Sequence, residues 1–178
     1  MADKPSTKRL VEIFTGSGKG KTSAALGVVL RALGQGLRVH IVFFMKGDYP
    51  YGERNILAHL PNVSFQSFGH EGFVDPQNVK AEEREQARQG LEAARDAIAS
   101  GSFDIVVLDE VNIAVAWKLL EVEDVLRLID EKPQNVELIL TGRHADQRLI
   151  ERADLVTEMV EIKHPFEKGI KARRGFDY

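Results

Sequence analysis

A short apolar-rich run over residues 10–14 breaks into Thr15-Gly16-Ser17-Gly18-Lys19-Gly20-Lys21-Thr22, and a helical apolar pattern opens at Lys21. A strand that stops in a glycine-rich turn directly before a helix offers the helix's first N–H groups to whatever lies at the sheet edge. The glycines let successive N–H groups turn inward without Cβ clashes, and the helix N-terminus adds about half a positive charge. The stretch reads as a phosphate cradle. Gly16, Ser17, Gly18, Lys19 and Gly20 would wrap the anion and Lys21 would reach its oxygens. The Thr22 hydroxyl would face a magnesium ion, with Ser23 next to it in the first helical turn. The pattern GxxxxGK[ST] is matched at Gly20-Lys21-Thr22, but Thr15 stands where the first glycine belongs and Gly16 comes one residue late. That describes a P-loop variant; a glycine-rich turn without a ligand is the alternative.

The remaining pattern places this loop in an α/β fold. A helix is expected from Lys21 to Leu33, a buried strand from Arg38 to Phe44, a short helix from Glu53 to Leu60 and a third strand from Val63 to Phe68. A long helix over about Lys80 to Ala99 sets Ala87, Leu91, Ala94 and Ile98 on one face. Phe103 to Leu108 is a continuous apolar strand, Val122, Val125, Leu126 and Ile129 mark another helix, and Glu137 to Thr141 is a strand. Ala145 to Ala153 and Leu155 to Ile162 supply a last helix and strand. Strand–helix alternation from end to end predicts right-handed crossovers, a mostly parallel sheet with helices on both faces, and a crevice at the strands' carboxyl ends. We expect a P-loop NTPase-like (RecA-like) architecture, with residues 1–9 a flexible segment and residues 10–178 one domain including a C-terminal tail.

Composition narrows the chemistry. At 178 residues with net charge -3 there is no basic footprint for nucleic acid, and the absence of cysteine removes disulfides, thiolate nucleophiles and iron–sulfur ligation. Any electron must come from outside. With no run of about 18 apolar residues and no apolar leader, a soluble cytoplasmic protein with no membrane partner is expected.

Three further places carry polar groups to the same predicted edge. Ile105-Val106-Val107-Leu108 ends in Asp109-Glu110, which resembles a Walker B: Asp109 would hold magnesium directly or through water, and Glu110 could do so or orient a neighbour. Alone, such a run is often only a strand followed by a helix N-cap. Thr141-Gly142-Arg143 ends the next strand, so Arg143 is either a bidentate phosphate ligand or a surface arginine, and Lys46 after strand two poses the same choice. His40, His59, His70 and His144 lack metal-ligand spacing, and His164 sits in the compact Lys163-His164-Pro165-Phe166.

Taken in order, the variant loop, Phe44-Met45-Lys46-Gly47, Gly72-Phe73, Val107-Leu108-Asp109-Glu110-Val111-Asn112, Thr141-Gly142-Arg143, the segment 153–159 and Lys163-His164-Pro165-Phe166 resemble the P-loop type of ATP:corrinoid adenosyltransferases, from about Val11 to Tyr178. The resemblance implies transfer of the 5′-deoxyadenosyl group of ATP to cobalt(I) of a corrinoid, with triphosphate leaving, in adenosylcobalamin synthesis or salvage. It further implies Mg2+ with ATP, an external reductant such as a reduced flavin or flavoprotein, and a homodimer. Phe73 matches an aromatic thought to displace the lower cobalt ligand, so Lys21, Thr22 and Phe73 are the catalytic candidates. The enterobacterial-type pattern continues with Thr and Trp where this chain has Val74 and Asp75; Tyr49, Tyr51 or Phe68 could substitute. Two rivals share these motifs: a P-loop small-molecule kinase or ATPase with Glu110 as base, and a nucleotide-gated corrinoid carrier.

Overall fold

The structure, a computed structural model, describes residues 8–47, 49–70, 72 and 74–177. Six strands, β1 (Val11–Thr15), β2 (Val39–Phe43), β3 (Val63–Ser67), β4 (Ile105–Asp109), β5 (Glu137–Thr141) and β6 (Leu155–Glu158), form one sheet in the order β3-β2-β4-β5-β1-β6. Every pairing is parallel. The four inner strands are buried on both faces, which explains why they read as continuous apolar runs instead of alternating ones.

Every crossover between successive strands runs through one helix or, between β4 and β5, two. Helices α1 (Lys21–Leu33) and α2 (Gly52–Leu57) contribute Ala25, Val29, Ala32 and Leu57 to a core with Ile41, Phe43, Val107 and Ile139. The opposite face carries α3 (Ala81–Ala99), α4 (Val111–Ala116), α5 (Val122–Glu131) and α6 (Gln147–Arg152), packed on Ile13, Val42, Val106, Leu108, Leu138 and Leu140. The expected stripe on α3 is the one that buries: Ala87, Leu91, Ala94 and Ile98 point inward. Full burial of Leu91 and Ile98 stabilises by roughly 1.5–3 kcal/mol each. No helix among the described residues is long and apolar enough to cross a membrane.

Two departures from the sequence pattern matter for the site. The short helix α4 follows β4 at once. β6 stops at Glu158, well before Ile162, because its partner β1 ends at Thr15 and turns into the glycine-rich loop. Beyond β6 the chain runs through a 3₁₀ turn at Pro165–Lys168 into a tail that crosses the carboxyl edge of the sheet.

Candidate nucleotide-binding site

The loop between β1 and α1 is held by close backbone approach. Gly18 N–H donates to the Met159 carbonyl at 2.7 Å, and a Cβ on Gly18 would lie 2.8 Å from that same oxygen. Gly16 (φ 97°) also packs on the Met159 backbone, so neither position admits a side chain. No side-chain hydrogen bond caps the start of α1, whose first N–H groups remain with the loop. The buried Lys21 Nζ donates to the carbonyls of Gly16 (3.0 Å) and Gly18 (2.7 Å). Burial lowers its pKa, against the opposing pull of Glu110.

At the end of β4 the acids are differently placed. Asp109 is 1 % exposed; its Oδ2 meets Lys46 Nζ at 2.5 Å and its Oδ1 accepts from the Thr141 hydroxyl at 2.7 Å. Lys46 is itself almost enclosed, with its ammonium 4.7 Å from the Tyr51 ring centroid and 5.3 Å from that of Phe43. Burial alone would lower the pKa of Lys46, but Asp109 holds it above the ordinary lysine value. Glu110 faces the cleft from a left-handed backbone (φ 68°, ψ 15°) and its N–H donates to Thr141 Oγ1 at 2.9 Å. Burial, then the neighbouring Asp109 charge, raises the Glu110 pKa, while Lys46, Lys21 and Arg143 oppose that rise.

One cleft of about 760 Å³ joins these groups. Its polar wall carries Lys19, Lys21, Thr22, Ser23, Lys46 and Glu110, and Arg143 stands on its rim as an exposed side chain. Tyr51, Trp117, Phe166 and Phe176 supply aromatic surface. The tail closes one side: Lys19 Nζ pairs with Asp177 and donates to the Phe176 carbonyl at 2.6 Å. Asp177 also accepts from Arg173 N at 2.8 Å and Nε at 3.1 Å. His164 Nδ1 accepts from Phe166 N at 3.2 Å and starts the 3₁₀ turn, so Lys163-His164-Pro165-Phe166 is the compact element the sequence suggested.

The structure thus brings together residues 16–23, Lys46, Asp109, Glu110 and Arg143 from four separate stretches. Phe73 lies outside the described residues. A second pocket of about 370 Å³, lined in part by Met45, Phe68, His70, Gly72, Val74 and Gln86, adjoins the cleft through Met45 and Val74. Of the aromatics weighed as substitutes near Asp75, Tyr51 lies in the cleft and Phe68 in this pocket. His40 pairs with Ser64 at 2.8 Å and lies against the Phe103 ring, away from the cleft. Sequence reasoning missed Trp117, the tail's pairing with Lys19 and the double use of Thr141; only the chain's one tryptophan offered a signal.

A parallel sheet whose first strand feeds a glycine-rich loop and Lys-Thr helix start, beside a strand ending in two acids, defines a P-loop nucleotide-binding α/β protein. Residues 7–178 match the family model described as ATP:corrinoid adenosyltransferase BtuR/CobO/CobP, and the chain belongs to that family. It is 38% identical over 178 residues to a corrinoid adenosyltransferase of Escherichia coli K12, covering all of this chain and 90% of the relative. A corrinoid adenosyltransferase of Sinorhizobium sp is 40% identical over 181 residues, covering 100% of this chain and 84% of the relative. Corrinoid adenosyltransferase CobA of Salmonella typhimurium is 36% identical, with 100% and 90% covered. Among solved structures, the cytoplasmic domain of EssC aligns with a TM-score of 0.51 at 16% identity, over 95% of this chain and 34% of that one, a likeness of fold.

Proposed function

We propose that this chain transfers the 5′-deoxyadenosyl group of ATP to the cobalt of a reduced corrinoid and releases triphosphate. The observation that carries the reading is one cleft lined both by the phosphate loop, Lys21, Glu110 and Arg143 and by Tyr51, Trp117, Phe166 and Phe176. The polar groups suit a triphosphate and the aromatic surface suits a broad, largely apolar macrocycle. The electron pair of cobalt(I) forms the Co–C5′ bond as the C5′–O bond breaks and its pair departs on the triphosphate. Negative charge therefore gathers on the leaving group, where the loop N–H groups, Lys21 and Arg143 stabilise it.

The donor set fits magnesium, which is ordinarily held by one or two carboxylates together with substrate phosphates. Thr22 and Glu110 line the same cleft, the buried Asp109 precedes Glu110 in the chain, and a dication would offset the burial that raises the Glu110 pKa. Thr22 and Glu110 are the side chains that would hold it directly, with Asp109, whose oxygens meet Lys46 and Thr141, acting through water; bound there it would neutralise charge on the departing triphosphate. In the same reading Phe73 displaces the lower cobalt ligand so that a flavin or flavoprotein can reduce cobalt(II). Residues 10–178 act as one domain and the protein works as a cytoplasmic homodimer.

The test is anaerobic incubation with Mg2+, ATP and cob(I)alamin, following the corrinoid spectrum and the phosphate product. Light-sensitive adenosylcobalamin with stoichiometric triphosphate is expected, and Lys21→Ala should cut the rate at least about 100-fold by removing a charge-stabilising donor. Unchanged corrinoid with ADP formed would mean phosphoryl transfer. Tight corrinoid binding with no new bond would mean a carrier.

A further inference from the structure

We propose that Thr141 is a positioning residue for the acidic pair, fixing the Asp109 carboxylate and the Glu110 backbone through one hydroxyl. The inference rests on the adenosyltransferase reading only for what the cleft finally does; the geometry stands without it.

In the pairing of β4 with β5, Leu108 lies opposite Leu140, so Asp109 and Thr141 fall side by side at the next step, on one face of the sheet. Thr141 is fully buried, in a strand whose neighbours Leu138, Ile139 and Leu140 are apolar and equally buried. Valine would fill the same volume and suit the strand as well, so a hydroxyl placed there must recover its desolvation by bonding. It bonds twice. Its proton goes to Asp109 Oδ1 at 2.7 Å, and its oxygen accepts the Glu110 N–H at 2.9 Å.

These two bonds act on different degrees of freedom. The first fixes the Asp109 rotamer from the side opposite Lys46, so both carboxylate oxygens have a set direction. The second holds Glu110 in a left-handed backbone that a non-glycine residue adopts only when its surroundings over-determine it. That backbone sets the start of α4 and turns the Glu110 side chain to the cleft. The turn after β5 is locked to the same place: Gly142 has φ 128°, and a Cβ on it would come within 2.9 Å of Ile113 N. Asn112 Nδ2 donates to the Gly142 carbonyl at 3.4 Å. Thr141 thus touches neither cleft nor substrate, yet it links the backbone of β5 to both acids.

The experiment uses full-length Thr141→Val and Thr141→Ser with a fluorescent ATP analogue, titrated at a series of Mg2+ concentrations and again in EDTA. The expected result for Thr141→Val is a Mg2+ requirement raised about tenfold for half-maximal nucleotide binding, with EDTA binding within twofold of wild type. Thr141→Ser, which keeps the hydroxyl, returns the Mg2+ requirement to within about threefold. Thermal denaturation of both variants accounts for folding, and the read-out needs no corrinoid, so it succeeds or fails independently of adenosyl transfer. An unchanged Mg2+ requirement in a folded Thr141→Val would overturn the proposal. So would equal weakening with and without metal, which marks a merely structural hydroxyl, or a serine variant no better than valine.

Discussion

Two carboxylate pairs lie in the same sheet and have opposite electrostatic arrangements. At the carboxyl edge, Asp109 and Glu110 are adjacent in sequence and surrounded by cations: Lys46 on one oxygen of Asp109, Lys21 and Arg143 near Glu110. Toward the other end, Glu12 of β1 and Glu137 of β5 are diagonal neighbours on one face, hydrogen-bonded to each other. Glu137 accepts from Leu10 N at 2.8 Å, while the nearby Lys132 Nζ is spent on the carbonyls of Arg9, Pro133 and Val136. Among the described residues no ion pair reaches Glu12 or Glu137. Burial, and then the bond and charge of Glu137, push the Glu12 pKa up to about 7. Two acids brought together can be kept charged by cations or share a proton. The inner pair shares a proton. At the edge, Lys46, Lys21 and Arg143 oppose, without reversing, the rise in the Glu110 pKa, so the edge is where a further positive charge is favoured.

The contrast is tested most severely at Lys46. Lys46→Met keeps the bulk against Phe43 and Tyr51 but strands the Asp109 charge, and removing one partner of a buried pair costs about 3–5 kcal/mol. Urea unfolding should register a loss of this size, and the double variant with Asp109→Asn should recover a large part of it. No recovery would mean that the pair is not coupled. A smaller effect is expected for Glu110→Gln, which removes the cleft-facing charge and relieves its repulsion with Asp109. Its stability should stay within about 1 kcal/mol of wild type, while the Mg2+ concentration needed for nucleotide binding rises severalfold. Isothermal titration at two metal concentrations checks this.

The inner pair gives the smallest effect and the clearest sign. With its folded pKa raised from 4.5 to about 7, Glu12 holds a proton in the folded chain that the unfolded chain has released. Its contribution is fully present below about pH 4.5 and is lost as pH rises through 7. Thermal midpoints should therefore fall by a few degrees between pH 5.5 and 8, and Glu12→Gln should flatten that slope. An equal slope in the variant would place the proton elsewhere.

The sheet was legible because buried parallel strands write long apolar runs, and α1 and α3 because their stripes repeat at helical spacing. Helix α4 was not: Val111–Ala116 is six residues of mainly apolar, partly β-branched sequence, too short to display a period. Missing it also hid Trp117, which ends that helix at the cleft. For the candidate site, the loop and the Asp109-Glu110 step announced their shared edge. Thr141 did not, since threonine in a strand is unremarkable until its neighbour across the ladder is known. The contact of Lys19 with Asp177 joins residues 158 positions apart through two ordinary charges, and no local pattern encodes it.

That last contact bears on how the protein should be handled. Because Asp177 meets the phosphate-loop lysine, a purification handle fused after residue 178 would begin two residues from a group that borders the cleft. Its linker would compete for the space now filled by Phe176 and Arg173, and an acidic linker would compete for Lys19 itself. A handle fused ahead of residue 1 joins a chain whose first strand, β1, starts at the opposite end of the sheet. Side-by-side kinetics of the two fusions would measure how much the final turn of the tail contributes to the cleft.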